Sequence, residues 1–126
     1  LEETSTFWVG ASCIQETPNL KKVCEDEDFV SFVNLITDAE TDENKAVIHV
    51  HFKTDIDQRI INKSLEVMAL IDDAMKERGL AKLYTWAETE EQERFNRYLG
   101  FTPTDREVYI EGYYSDHPIY EYVKEL

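Results

Sequence analysis

The apolar residues switch period along the chain, from two to about 3.6 and back, and that switch constrains the fold more than any other feature. At residues 46–52 the pattern is strand-like: Ile48, Val50 and Phe52 share one face and His49 and His51 the other. From Ile61 onward Leu65, Met68, Ile71 and Met75 follow at steps of 4, 3, 3 and 4, which is one face of a helix. Lys76, Arg78 and then Gly79 place cations in the last turn and a glycine just past it, a stop signal. The alternating pattern returns at residues 83–87. Thr89 with Gln92 forms a capping box that opens a short helix carrying Phe95 and Leu99 and ending at Gly100.

Strand-like runs also occupy residues 7–14 and 29–36, with the polar, acidic stretch 15–28, broken by Pro18, between them as a loop. Residues 108–114 and 119–123 read as two further strands joined through Ser115-Asp116-His117-Pro118. The expected order is β-β-β-α-β-α-β-β. It predicts an α+β fold with a mixed, mostly antiparallel sheet covered by one long and one short helix.

A chain of 126 residues suits one domain spanning residues 1–126 and one sizeable core. Asp plus Glu number 27 against 13 Lys plus Arg, so the net charge is −14. That balance excludes a general nucleic-acid or anionic-membrane binder and favours a cationic partner, a small amine or a basic protein. No apolar run reaches spanning length, and Leu1-Glu2-Glu3-Thr4 lacks the basic start of a secretory signal. Cys13 and Cys24 do not make a disulfide framework, so reduced thiols in a cytoplasmic protein are expected. The aromatic residues around the last two strands, Tyr113, Tyr114, Tyr120 and Tyr122, include some that must face outward, a surface for a protein partner or a second copy.

From about Ala46 the order of elements resembles the GNAT N-acetyltransferase superfamily. Three segments carry the resemblance. Arg59-Ile60-Ile61-Asn62-Lys63-Ser64 falls where the family has its Arg/Gln-x-x-Gly-x-Gly/Ala loop. Glu77-Arg78-Gly79-Leu80-Ala81-Lys82-Leu83-Tyr84 is similar to its helix-to-strand step. Arg94-Phe95-Asn96-Arg97-Tyr98-Leu99-Gly100-Phe101 is similar to its short helix ending in Leu-Gly-Phe. The likeness covers roughly the last two-thirds of the chain. The family's opening strand and first two helices have no clear counterpart before Phe7, so the resemblance implies a divergent member that either lacks that part or whose domain begins before Leu1.

The resemblance implies acetyl-CoA as co-substrate and a primary amine as acceptor. Backbone amides at Asn62, Lys63, Ser64 and Leu65, helped by Arg59 and Lys63, would hold the pyrophosphate. His49, His51 or Asp55 would take the proton of the attacking amine. The family's usual proton donor to the departing thiolate, a Tyr four residues before the Leu-Gly-Phe glycine, is Asn96 here. Asn62 and Ser64 stand in place of the two small positions of the loop. A metal site would need a third ligand beside His49 and His51, and the spacing brings none near, so no metal is expected. The rival reading keeps the fold without the chemistry, as a binding or assembly module acting through acidic loops and the aromatic hairpin.

Overall fold

The computed structural model describes residues 20–109 and 118–126. The element order is β1 (Leu20–Glu25), β2 (Phe29–Thr37), β3 (Asn44–Phe52), α1 (Gln58–Glu77), β4 (Lys82–Ala87), α2 (Glu90–Tyr98), β5 (Thr102–Glu107) and β6 (Tyr120–Glu125). The six strands form one mixed sheet in the order β1-β2-β3-β4-β6-β5. Among the described pairs only β3–β4 is parallel, joined by the long helix α1; the others are antiparallel. This is the α+β class and the element order expected, with one long and one short helix.

Two described strands arise where the sequence pattern shows none. The expected strand 7–14 and Cys13 lie outside the described residues, as do Tyr113, Tyr114 and the turn with His117. The first described strand, β1, comes instead from the stretch that reads as a loop. It is a polar strand whose ladder to β2 runs from Leu20–Asn34 to Glu25–Val30, with a register shift between Lys22 and Cys24. The fifth described strand is Thr102–Glu107, which has no large apolar residue; of the expected strand 108–114, Val108 and Tyr109 lie outside any strand and the rest falls outside the described residues. Its ladder to β6 is interrupted between Pro103 and Glu107, where Asp105 adopts φ 66°, a bulge that bends the strand. Both lie at the borders of the sheet formed by the described residues, where strands need no apolar alternation, which is why periodicity misses both.

Helix α1 opens at Gln58, with Asp57 as N-cap. Its buried stripe is Ile60, Ser64, Met68, Ile71 and Met75. The expected anchor Leu65 is 38% exposed, because at about 100° per residue it sits beside the stripe rather than on it. Serine takes the core position, and its hydroxyl donates to the Ile60 carbonyl at 2.8 Å, which leaves that donor satisfied. Gly79, at φ 83°, ends α1, and the Leu80 N–H returns to the Met75 carbonyl at 3.1 Å. Gly100 ends α2 at φ 97°, where a Cβ would come 3.3 Å from the Lys124 side chain. The glycine of the Leu-Gly-Phe segment is thus favoured by its left-handed backbone.

Both helices pack on one face of the sheet. Met68, Ile71 and Met75 of α1 and Leu99 after α2 form one buried cluster with Val33, Ala46, Ile48, Leu83, Ala87 and Tyr122. The opposite face carries an ionic network. Lys45, its side chain 3% exposed, reaches Asp38 at 2.8 Å and Glu121 at 2.7 Å, and Arg106 binds the same two carboxylates. Burial alone would lower the Lys45 pKa, but its two carboxylate partners outweigh it and raise the value. The network ties the β2–β3 turn to β5 and β6.

Candidate functional site

The parallel strands β3 and β4 are in register at Val47 and Tyr84 and form no further ladder pair among the described residues. By contrast β2 and β3 stay paired from Phe29–Phe52 to Thr37–Asn44. Just past the meeting point the Thr85 hydroxyl donates to the Ile48 carbonyl at 3.0 Å, a side-chain bridge where a ladder bond would otherwise run. Beyond it a cleft of 930 Å³ opens at the carboxyl ends of the two strands. In open sheets this is where ligands enter, since a parallel crossover leaves a crevice there.

The walls come from four elements: Val50, His51 and Phe52 of β3, Trp86 of β4, Phe95, Asn96 and Leu99 from α2 and its end, and Ile61 of α1. Aromatic contacts stiffen them. Phe52 meets Phe95 edge-on at 5.1 Å, and His49 meets Trp86 at 5.2 Å. Buried Asn96 donates to the Trp86 carbonyl at 3.5 Å, which fixes α2 against the strand. Among the described residues Arg94 is the one Lys or Arg on the cleft wall, beside Glu88 and Glu91.

The candidate proton acceptors separate. His49 and His51 both line the cleft. Burial pushes the His49 pKa down to about 4, so this imidazole is neutral at pH 7. His51 is half-buried. Asp55 is exposed in the segment between β3 and α1 and is not part of the cleft wall.

The expected phosphate ligands are arranged differently from the resemblance. Because α1 starts at Gln58, the amides of Asn62, Lys63, Ser64 and Leu65 lie past the first turn, inside the helix. At the true helix start the Asp57 carboxylate accepts from the Ile60 N–H at 2.9 Å. Asn62 accepts from the Gln58 side chain at 3.0 Å. Arg59 makes a two-pronged pair with Asp28, at 2.8 and 3.0 Å, and Lys63 reaches Asp28 at 2.8 Å and also pairs with Asp26. Arg59, then Lys63, hold the Asp28 carboxyl well below the usual carboxylate range. Asp26 and Asp28 push Lys63 up to about 12. The partners of these cations are therefore in the β1–β2 turn, and not Asp55 and Asp57 upstream of the helix.

Sequence pattern alone does not single out Thr85, the bridge at the apex. Its signal is a β-branched hydroxyl between Leu83 and Ala87 on the buried face of β4. Asp28 is one member of an acidic run in the sequence, and its burial against the start of β2 distinguishes it. Cys24 is a free, half-buried thiol whose pKa is raised by burial and by Asp26. Among the described residues no helix is long and apolar enough to cross a membrane. No protein-family model matches the chain, and no curated protein matches it.

Proposed function

We propose that the chain is a divergent GNAT-like acyltransferase that seats the pantetheine arm of acetyl-CoA in the β3–β4 cleft and transfers the acetyl group to a primary amine. The observation that carries this reading is the parting of two parallel strands over apolar walls. Backbone groups on the inner edges of parted strands lack a ladder partner in each other, and they suit an extended ligand bearing amides. Pantetheine is such a ligand: narrow, mostly apolar, with two amides.

In this reading the amine nitrogen attacks the thioester carbonyl, the C–N bond forms and the C–S bond breaks. His51 accepts the amine proton directly or through water. His49 stays neutral and holds Trp86. The Asn96 amide cannot supply a proton to the leaving thiolate, so that proton comes from solvent. Asp55 takes no part in the proton transfer. With Arg59 and Lys63 paired to Asp28, binding energy comes chiefly from the arm and little from the phosphates.

A second reading, a fold kept without chemistry, is favoured by one observation. Asp57 places a carboxylate where a phosphate would meet the helix start. Calorimetric titration of the full chain with acetyl-CoA separates the two. The acyltransferase reading expects binding that is lost in Val50→Trp, which fills the cleft, with the circular dichroism spectrum unchanged. No heat of binding from the folded wild type would favour the non-catalytic reading.

A further inference from the structure

The cleft is not the only space behind these walls. A void of 20 Å³ lies beneath α1, between Ser31 of β2 and Ser64 and Val67 of the helix, and it shares Ile48, Val50 and Met68 with the cleft wall. A space of that size is slightly more than the roughly 10–15 Å³ that one water requires, and it equally suits one methyl-sized group. Ser31 is 1% exposed, and its hydroxyl has no hydrogen-bond partner. The Ser64 hydroxyl on the same wall already donates to Ile60. A buried water is held by about two to four polar partners. This wall offers the Ser31 hydroxyl and the remaining lone pairs of Ser64, so a water here is weakly held. Displacing such a water with an apolar group gains affinity.

A core shaped only for stability would close this gap with a Val side chain and leave no desolvated hydroxyl. Serine at position 31 instead keeps the space open beside the ligand cleft. We infer that the void under α1 is a side pocket of the cleft that selects acyl donors one carbon longer than acetyl, the propionyl class, while still admitting acetyl. This inference rests on the acyl-donor reading above.

The test is calorimetric titration of the full chain with acetyl-CoA, propionyl-CoA and butyryl-CoA. One buried methylene corresponds to about a fourfold gain in affinity. Propionyl-CoA should therefore bind about fourfold tighter than acetyl-CoA, and butyryl-CoA no tighter than propionyl-CoA. Ser31→Val fills the void and should remove the propionyl preference while leaving acetyl-CoA affinity unchanged. Ser31→Ala widens the void with little risk to folding and should retain the preference. Equal binding of acetyl and propionyl donors by the wild type would overturn this inference alone. So would a preference that survives in folded Ser31→Val or is lost in Ser31→Ala. Binding of none of the three donors would overturn it together with the acyl-donor reading.

Discussion

Asp57 does two things at the start of α1, and substitution separates them. Its carboxylate accepts the Ile60 N–H at 2.9 Å, which is a helix cap, and it places a negative charge at the positive end of a 20-residue helix. Asp57→Ala removes both. Loss of an N-cap acceptor costs roughly 0.5–2 kcal/mol. Unfolding entropy of about 2.1 cal/mol/K per residue corresponds to roughly 0.26 kcal/mol/K for a chain of 126 residues. Thermal unfolding followed by circular dichroism should therefore shift down by about 2–8 °C. Asp57→Asn keeps the cap, because Asn caps about as well as Asp, and loses only the charge at the helix terminus, so it should unfold within about 4 °C of the wild type. It also removes the competing charge. One charge at a helix terminus is worth roughly 0.3–1 kcal/mol, so acetyl-CoA affinity should rise by about two- to fivefold. An unchanged melting temperature for Asp57→Ala would refute the cap. Weaker coenzyme binding by Asp57→Asn would refute the idea that the carboxylate competes with phosphate.

Three further outcomes are expected. Met68→Ala should cost roughly 2–5 kcal/mol in urea unfolding while Leu65→Ala costs under about 1, and similar losses would mean that the buried stripe of α1 is wrongly placed. His49 has its pKa lowered from 6.5 to about 4, so between those values the unfolded chain binds the extra proton and stability falls as pH drops. Relative to His49→Gln, the wild type should lose about 2 kcal/mol between neutral pH and ~pH 5, and parallel pH profiles would contradict the burial of this imidazole. Asp28 has a depressed pKa, so its contribution is fully present above the unfolded carboxylate value and declines as pH falls through the folded one. The stability difference between wild type and Asp28→Asn should thus be constant near neutrality and shrink below ~pH 4, and a difference that grows on acidification would reverse the assignment.

What can be read from sequence follows from where each signal originates. β2, β3, β4 and α1 face the core, and burial imposes a period on them, so Phe29, Ile48, Leu83 and Met68 announce their elements. The caps at Thr89, Gly79 and Gly100 are local chemistry and are equally legible. β1 and β5 at the sheet borders carry Lys22, Glu25, Asp105 and Glu107, and nothing obliges them to alternate. The apolar spacing of α1 places Met68, Ile71 and Met75 correctly but shifts the first half of the stripe by one residue, because Ser64, a polar residue, occupies a core position while Leu65 beside it is exposed. For the candidate site, the pairing of His49 and His51 on one strand face follows from alternation. The partners of Arg59 and Lys63 do not, since Asp28 lies 31 and 35 positions away along the chain. The cleft itself depends on how far two parallel strands stay in register, a tertiary property that no local pattern encodes.

The most direct test of the cleft is a backbone amide chemical-shift map of the isotope-labelled full chain titrated with acetyl-CoA. Binding in the cleft should give saturable shifts at His49, Val50, His51 and Phe52 on β3, at Trp86 and Ala87 on β4, and at Phe95, Asn96 and Leu99 at α2, with the β1–β2 turn at Asp26 and Asp28 largely unmoved. Shifts confined to that turn or to β5 and β6, or no shift at millimolar acetyl-CoA, would contradict it.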